Sequence, residues 1–497
     1  MARTAKGPFI ELPEEVGPKT GPLYRRLATR LREMIISGAL PAGHRLPSTR
    51  QMAADLKCSR NTVATAIEYL DAEGYIFSRR GAGTFITERP HQDRPQNTSA
   101  KTSTKNKPDH TEPQFSAYLH TMATARPSRH AKSHTFSRQP DVSSFPFDLW
   151  ATIYRKTWKN PSEALIRDED PMGHLPLRQA IAEHLSFWRG LACSAEQIMV
   201  TAGTTQALHF LARLLLNKGD TCWVEEPGFL EAKSALKSVE AVACPIPTDE
   251  DGIHVTSGIE KAPSAKAVFI TPSHQHPLGH VLSMARREEL LNWAYKAGAW
   301  VIEDDHDAEI RHKGGVQPAL KSMDSGDHVI YVGTFSKILF QSLRIGFLVL
   351  PQRLVEPAKT IRSYTELCPS IIMQPVLASF IQDGHFISHL RRSRILYDKK
   401  MAFFLKASRE ILGGFLEIKE DPIGTHVVGF FKNSMAHMYS DKIYSKRLLE
   451  KGVNATPLSD YYSHTNSPQG FVFGYGSASE TEVMDGLNII RQTFSEE

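Results

Sequence analysis

The sequence predicts a two-part α/β chain, with a small helical unit carrying a hairpin, a connecting tract, and a large unit built on a mostly parallel sheet. Three observations predict it. At 497 residues the chain is too long for one ordinary domain. Short apolar runs (Ile198-Met199-Val200, Cys222-Trp223-Val224, Ala267-Val268-Phe269-Ile270, Ala299-Trp300-Val301-Ile302) alternate with helical stretches at 175–188, 205–216 and 286–297, the pattern of parallel strands covered by helices. Charge is uneven as well: residues 1–133 hold 21 Lys+Arg against 12 Asp+Glu, and the rest of the chain 38 against 42. A basic front on a slightly acidic body points to a polyanion-binding module.

In the front part, Leu23, Leu27, Leu31, Met34 and Ile35 recur at helical spacing until Gly38 and Pro41 stop the helix. Ser48 opens a second short helix, with Met52, Ala53 and Leu56 on its inner face. After a turn at Lys57-Cys58, Ser59 caps a third, with Val63, Ala66, Ile67 and Leu70 inward. Two short helices joined by a tight turn make a helix-turn-helix, and the third helix is its reader. Residues 73–76 and 81–86 then form a hairpin, a wing with Arg79-Arg80 at its tip.

These segments resemble the winged helix of the GntR superfamily, through Leu46-Pro47-Ser48-Thr49-Arg50, Ser59-Arg60-Asn61-Thr62-Val63, Glu73-Gly74-Tyr75 and Gly81-x-Gly83-Thr84-Phe85. Arg50, Ser59, Arg60, Asn61 and Thr62 lie at helix starts, where side chains and amides meet phosphates or base edges of double-stranded DNA. Arg79 and Arg80 would sit beside the adjacent groove, and Gly83 lets the wing backbone turn closely.

The expected boundaries are 18–88 for the winged helix, 89–133 for a flexible basic linker poor in large apolar residues, and 134–497 for the second domain. A 41% hydrophobic share supports a real core. No run of eighteen apolar residues suggests a membrane span, and five scattered cysteines without Cys-x-x-Cys spacing argue against a disulfide framework or zinc site. A cytoplasmic location is the expectation.

In the second domain the apolar run 328–332 leads into Gly333-Thr334-Phe335-Ser336-Lys337, with Arg344 seven residues on. A lysine leaving a strand end into an apolar pocket loses charge by desolvation and becomes an amine suited to a Schiff base. The hydroxyls and the arginine suit a phosphate. Pyridoxal 5'-phosphate (PLP) carries both an aldehyde and a phosphate, although a Ser-Lys turn alone is weak evidence. Gly203, Thr204 and Thr205 open a helix after another strand and form an anion cradle. Glu303-Asp304-Asp305-His306-Asp307 follows a third strand; such a cluster can hold a metal, or one carboxylate can pair with a pyridine nitrogen. Phe229 can stack on a ring, and Pro272-Ser273-His274-Gln275-His276-Pro277-Leu278-Gly279 is a polar turn.

In that order, these pieces resemble fold-type I PLP-dependent transferases of the aspartate aminotransferase family. The most specific matches are Asp168, Pro171 and Gly173 with Pro176-Leu177-Arg178, then 272–275, 303–305, 333–337 and Leu343-Arg344-Ile345-Gly346. A GntR winged helix fused to such a domain resembles the MocR/GabR/PdxR group of bacterial regulators. That resemblance implies PLP bound through Lys337, a homodimeric aminotransferase-like body, and DNA binding controlled by a small-molecule effector. It also implies Asp304 at the pyridine nitrogen, Phe229 on the ring, and Gly203, Thr204, Thr205, Thr334, Ser336 and Arg344 around the phosphate. His306 stands where the family has tyrosine and would hydrogen-bond the ring hydroxyl; Gln341 replaces a common proline and Glu231 an arginine of some relatives. Val472 falls where aminotransferases fork an α-carboxylate with arginine. The expected function is therefore a PLP-sensing transcriptional regulator without physiological turnover, retaining weak half-reaction chemistry at most. A working aminotransferase with a DNA-binding appendage, or a DNA-binding protein with a mere dimerisation scaffold, are the competitors. The effector is left as an amine, an amino acid or PLP itself.

Overall fold

The computed structural model describes residues 21–79, 81–88, 119, 136–167, 170–311, 317–435, 440–464 and 466–496. Arg80, Asp168 and the expected linker, apart from Leu119, lie outside them. The chain divides into two compact units, 1–112 and 113–497.

In the first unit, helix Leu23–Ile36 buries Leu27, Ala28, Leu31 and Ile35, the stripe its sequence spacing places on one face. The Ser48 and Ser59 hydroxyls accept from the backbone N–H groups of Gln51 and Thr62, fixing the starts of helices Thr49–Asp55 and Arg60–Ala72. Their inner faces meet Leu46, Ile76 and Ile86 in one core, where each large apolar side chain contributes about 1.5–3 kcal/mol. Arg32 forks onto Glu73 at 2.7–2.8 Å, tying the first helix to the end of the third. Strands β1 (Ile76–Arg79) and β2 (Gly83–Ile86) pair antiparallel, with Arg79 opposite Gly83.

The second unit is organised by an eight-stranded sheet of β3 (Ile198–Thr201), β4 (Thr221–Glu226), β5 (Val242–Asp249), β6 (Gly252–Ile253), β7 (Ala267–Ile270), β8 (Trp300–Asp304), β9 (Val329–Thr334) and β10 (Gly346–Val349), in the order β3-β10-β9-β8-β7-β4-β5-β6. The five strands from β9 to β5 run parallel. β4, β7, β8 and β9 are buried almost along their whole length, as strands with helices on both faces are, whereas β5 is half-exposed. β10 is antiparallel to both neighbours. A Cβ at its Gly346 would crowd the Cα of Gly203 at 2.9 Å, so β10 brings Arg344 against the turn after β3. The chain turns polar wherever a parallel strand ends, and these carboxyl ends open on one crevice, the usual ligand position of such sheets.

Strands β11 (Leu416–Ile418), β12 (His426–Phe431), β13 (Thr456–Pro457) and β14 (Gly470–Gly474) form a separate antiparallel sheet ordered β11-β12-β14-β13. It packs on helices His385–Leu412, Asp441–Glu450 and Glu480–Ser495 through Phe404, Leu412, Tyr444, Phe471, Phe473 and Phe494. Segment 136–139 lies along the end of β14: the Gly474 amide donates to the Phe136 carbonyl at 3.0 Å, and a side chain at Gly474 would collide with the Ser137 carbonyl.

Candidate functional sites

The acids at the end of β8 and in the turn after it sort into two kinds. Glu303 accepts the amides of Leu320 and Lys321 at 2.7 and 2.8 Å. Asp305 is held by Arg189 at 2.8 Å and the Tyr331 hydroxyl at 2.7 Å. Both are spent on structure, which removes the expected alternative of a metal held by the whole acidic run. Asp304 and Asp307 instead face the crevice, buried, and all four carboxylate oxygens lack hydrogen-bond partners. Burial pushes the Asp304 carboxyl up to about 8; Lys337 pulls it down and Asp305, Asp307 and Glu231 raise it. A carboxylate this costly to ionise waits for a cation or an N–H donor.

Lys337 follows β9, and its Nζ stands 3.6 Å from Asp307 Oδ1. Its surroundings differ from the apolar pocket expected: the side chain is 31% exposed and faces a carboxylate, because the turn after β8 delivers Asp307 to the same place. His274 bridges Asp307 (3.5 Å) and Asp421 (2.7 Å). Burial alone would discharge that imidazole, but the Asp421 and Asp307 carboxylates outweigh it and hold its pKa up to about 9. Burial instead keeps His276, His306 and His426 neutral, their pKa values well below the usual range. The His306 ring lies parallel to Phe229, 12° between planes and 6.4 Å between centroids, and its Nε2 is 3.4 Å from Asp307 Oδ2. His274, Asp307 and His426 form the one group with metal-ligand proximity among the described residues, their ligand atoms within 4.8 Å of one another.

A pH dependence follows from His274. Its pKa is raised on folding from 6.5 to about 9, so its charged pairing is fully present below pH 6.5 and lost as pH rises through 9. The thermal midpoint should fall across that window in the unmodified protein. In His274→Gln it should start lower and fall less; parallel curves for the two proteins would show that the bridge contributes nothing.

On the opposite side, Gly203 adopts φ +95° ahead of helix Thr204–Leu215. A Cβ there would lie 3.5 Å from the Arg344 guanidinium carbon. The first amides of that helix have no partner within it. Arg344 itself sits at φ +50°, a left-handed turn that L-residues adopt at a cost. Thr334 and Ser336 are buried beside them; the Ser336 amide donates to Thr334 Oγ1 at 3.2 Å, and the Ser336 hydroxyl has no partner. Helix start, guanidinium and orphaned hydroxyl together make an anion cradle.

In the first unit, Arg50, Ser59, Arg60 and Asn61 are exposed and Thr62 partly so. The Ser59 hydroxyl, 2.8 Å from Thr62 Oγ1, fixes the helix start that presents Arg60 and Asn61. Arg79 lies over the rings of Phe77 and Phe85, holding its charge on the wing. Gly83 adopts φ +111°, and a Cβ there would meet Arg45 Nε at 2.6 Å; Arg45 is a wing cation that the sequence pattern did not single out.

The description "Bacterial regulatory proteins, gntR family" matches residues 23–86, and "Aminotransferase class I and II" matches 167–472. The "Probable rhizopine catabolism regulatory protein MocR" of Rhizobium meliloti is 38% identical across 95% of this chain and 94% of its own length. The chain belongs to the MocR-type family of transcriptional regulators. The "HTH-type pyridoxine biosynthesis transcriptional regulator PdxR" of Corynebacterium glutamicum is 29% identical over 93% of this chain and 96% of that one. Among solved structures, an archaeal alanine:glyoxylate aminotransferase superposes with TM-score 0.68 at 24% identity, covering 77% of this chain and 96% of that one. The Pyrococcus horikoshii kynurenine aminotransferase gives 0.67 at 25%, over 78% and 95%. The expected α/β architecture of a MocR-type chain is thus the observed one. No helix among the described residues is long and apolar enough to cross a membrane.

Within this MocR-type crevice, sequence reasoning missed Asp307's contact with Lys337, the His274–Asp421 pair, and His276 and His426. The histidines of the 272–279 turn were visible as a polar run, but their partners at 421 and 426 come from the other sheet and carry no local signal. Arg138, whose Nη1 lies 2.6 Å from His276 Nε2, was invisible for the same reason.

Proposed function

We propose that this regulator holds PLP covalently on Lys337 and that a small amine, an amino acid or PLP itself sets its affinity for an operator in double-stranded DNA. The observation that carries the reading is Asp304, a buried carboxylate at the end of β8 with neither oxygen hydrogen-bonded, on the strand next to the one that leads to Lys337. A protonated pyridine nitrogen would satisfy it and offset the cost of burial that pushes its pKa up to about 8. The other residues fit the same group. Phe229 and His306 present parallel ring faces. Gly203, Thr204, Thr205, Thr334, Ser336 and Arg344 supply the phosphate cradle, and the orphaned Ser336 hydroxyl gains a partner. PLP, when bound, supplies an electrophilic carbon for amines and an electron sink. The protein's residues orient it: Asp304 fixes the ring nitrogen, Asp307 and His274 hold negative charge and a proton beside Lys337 Nζ, and the cradle sets the phosphate.

The proposal assigns 18–88 to DNA reading, 89–133 to a linker and 134–497 to a homodimeric effector body. The DNA face consists of Arg50, Ser59, Arg60, Asn61, Thr62, Arg79, Arg80 and Gly83. Turnover is not its task, since Val472 offers no fork for an α-carboxylate on β14.

Visible absorbance of the purified protein, borohydride reduction and peptide mapping test the cofactor reading. A phosphopyridoxyl group on Lys337 is the expected result. A colourless protein that takes up no added PLP and yields no adduct sinks it. Asp304→Asn should weaken PLP retention roughly 10–100-fold, the loss of a charge-assisted hydrogen bond of about 1.5–3 kcal/mol, read as the PLP concentration restoring half the absorbance. Retention equal to the unmodified protein would place the pyridine nitrogen elsewhere.

A further inference from the structure

Resting on the cofactor reading, we propose that Arg138 is the anion-binding residue of the effector pocket, so that the effector is a primary amine that also carries a carboxylate. The place where aminotransferases hold that carboxylate is closed in this chain. Val472 is fully buried in β14 and packs with Val428, Leu458 and Tyr461; an apolar cluster binds no anion. A guanidinium instead enters from the other direction. Arg138 lies over the ring of that same Tyr461, 5.8 Å from its centroid, and reaches His276 Nε2 at 2.6 Å. His276 in turn packs edge-on against Phe229, the ring that would stack on the cofactor, and against His306, with centroids 5.7 and 5.8 Å away.

The segment that carries Arg138 is built in rather than draped. Gly474 has no room for a side chain against the Ser137 carbonyl, and a Cβ at Gly476 would lie 2.9 Å from the Gln139 carbonyl. The Ser137 and Ser477 hydroxyls meet at 3.0 Å. Beyond Arg138, Asp141 is fixed by Lys400 at 2.6 Å, and its amide donates to the Tyr397 hydroxyl at 2.9 Å. Glycines at 474 and 476 therefore let the segment approach the strand end closely enough to put its arginine two residues along from Val472.

Charge supplies the second argument. The hydrogen-bond partner of Arg138 is an imidazole kept neutral by burial and by Arg138 itself. Among the described residues no carboxylate lies within salt-bridge distance of it. Beside Lys337 lie two carboxylates, Asp307, whose oxygens have no hydrogen-bond partner, and Asp421, with the His274 imidazole between them. Arg138 thus offers a cation with no ion-pair partner among the described residues and with the planar fork that carboxylates fit, while Asp307 stands next to Lys337. A ligand with a carboxylate for Arg138 and an amine for the Lys337 site complements both.

The test uses full-length, PLP-loaded protein and the visible absorbance of the lysine-bound cofactor. Probes are taken in pairs that differ by one carboxylate: alanine or β-alanine against ethylamine, and γ-aminobutyrate against propylamine. At least one carboxylated probe is expected to change the spectrum at a concentration tenfold or more below that of its partner. Arg138→Gln should erase that advantage while leaving the response to the plain amine, and Arg138→Lys should restore part of it. Equal responses within every pair, or an Arg138→Gln change that weakens both members alike, would overturn the proposal while leaving the cofactor reading intact. Absence of any visible band or borohydride adduct removes the cofactor reading, and this proposal with it.

Discussion

Replacing Lys337 with alanine should leave a folded protein that still binds its operator but no longer answers to an amine effector. The lysine side chain is 31% exposed and pairs with Asp307, so truncation leaves no void in the core and the cost to stability is small. The Asp304 carboxylate and the phosphate cradle remain, so PLP is still taken up, but reversibly. The covalent link is lost completely, and borohydride should trap no phosphopyridoxyl peptide in the variant. The effector changes operator affinity only by its differential affinity for two arrangements of the protein, and a tenfold change requires about 1.4 kcal/mol. Without a covalent exchange at Lys337 that difference should fall to nothing. Operator titrations with and without the amine probes, on both proteins, read it directly. A Lys337→Ala protein whose operator affinity still shifts with an amine would mean that sensing does not pass through the lysine.

How much of this could be read from the sequence depends on how local each feature is. The helix caps at Ser48 and Ser59, Gly83 in the wing, and the strands at 198–200, 222–224, 267–270 and 299–302 all follow from residues within one turn or one strand of each other, and the structure has them in place to within a few residues. The wing's first strand, expected at 73–76, is Ile76–Arg79, because 73–75 close the preceding helix, and Arg79 lies in the strand opposite Gly83 rather than at the tip. The cradle of Gly203 and Arg344 spans more than a hundred residues, yet a family pattern made it legible. The polar wall was not. His274 meets Asp421 and His276 meets Arg138 through folding of the β11–β14 sheet and segment 136–139 onto the crevice, and Asp307 meets Lys337 from the turn after the adjacent strand β8; no periodicity announces either. The apolar pocket expected around Lys337 failed for a similar reason. A strand-end lysine reads as apolar when only its own strand is considered, whereas the neighbouring strand supplies the carboxylate.

Arg60→Ala should lower operator affinity roughly 10–100-fold, the cost of about 1–3 kcal/mol for losing one base-reading arginine. Arg60 is the first residue of helix Arg60–Ala72 and is exposed, so its removal should leave stability within about 0.5 kcal/mol. Arg32 provides the contrast, since its fork on Glu73 joins the first and third helices; Arg32→Ala should weaken binding through the fold and lower the thermal midpoint with it. The salt dependence then tells which part of the DNA Arg60 meets. A phosphate contact predicts weakening on all sequences and a log–log salt slope shallower by about one. A base contact predicts an unchanged slope and relaxed preference at one operator position. In either case the absorbance response to amines should be untouched, because every group that builds the crevice lies in the other unit. An Arg60→Ala protein that binds operator as tightly as the original would move the reading surface away from this helix start and leave the wing, with Arg79 clamped over Phe77 and Phe85, as the element that reads DNA.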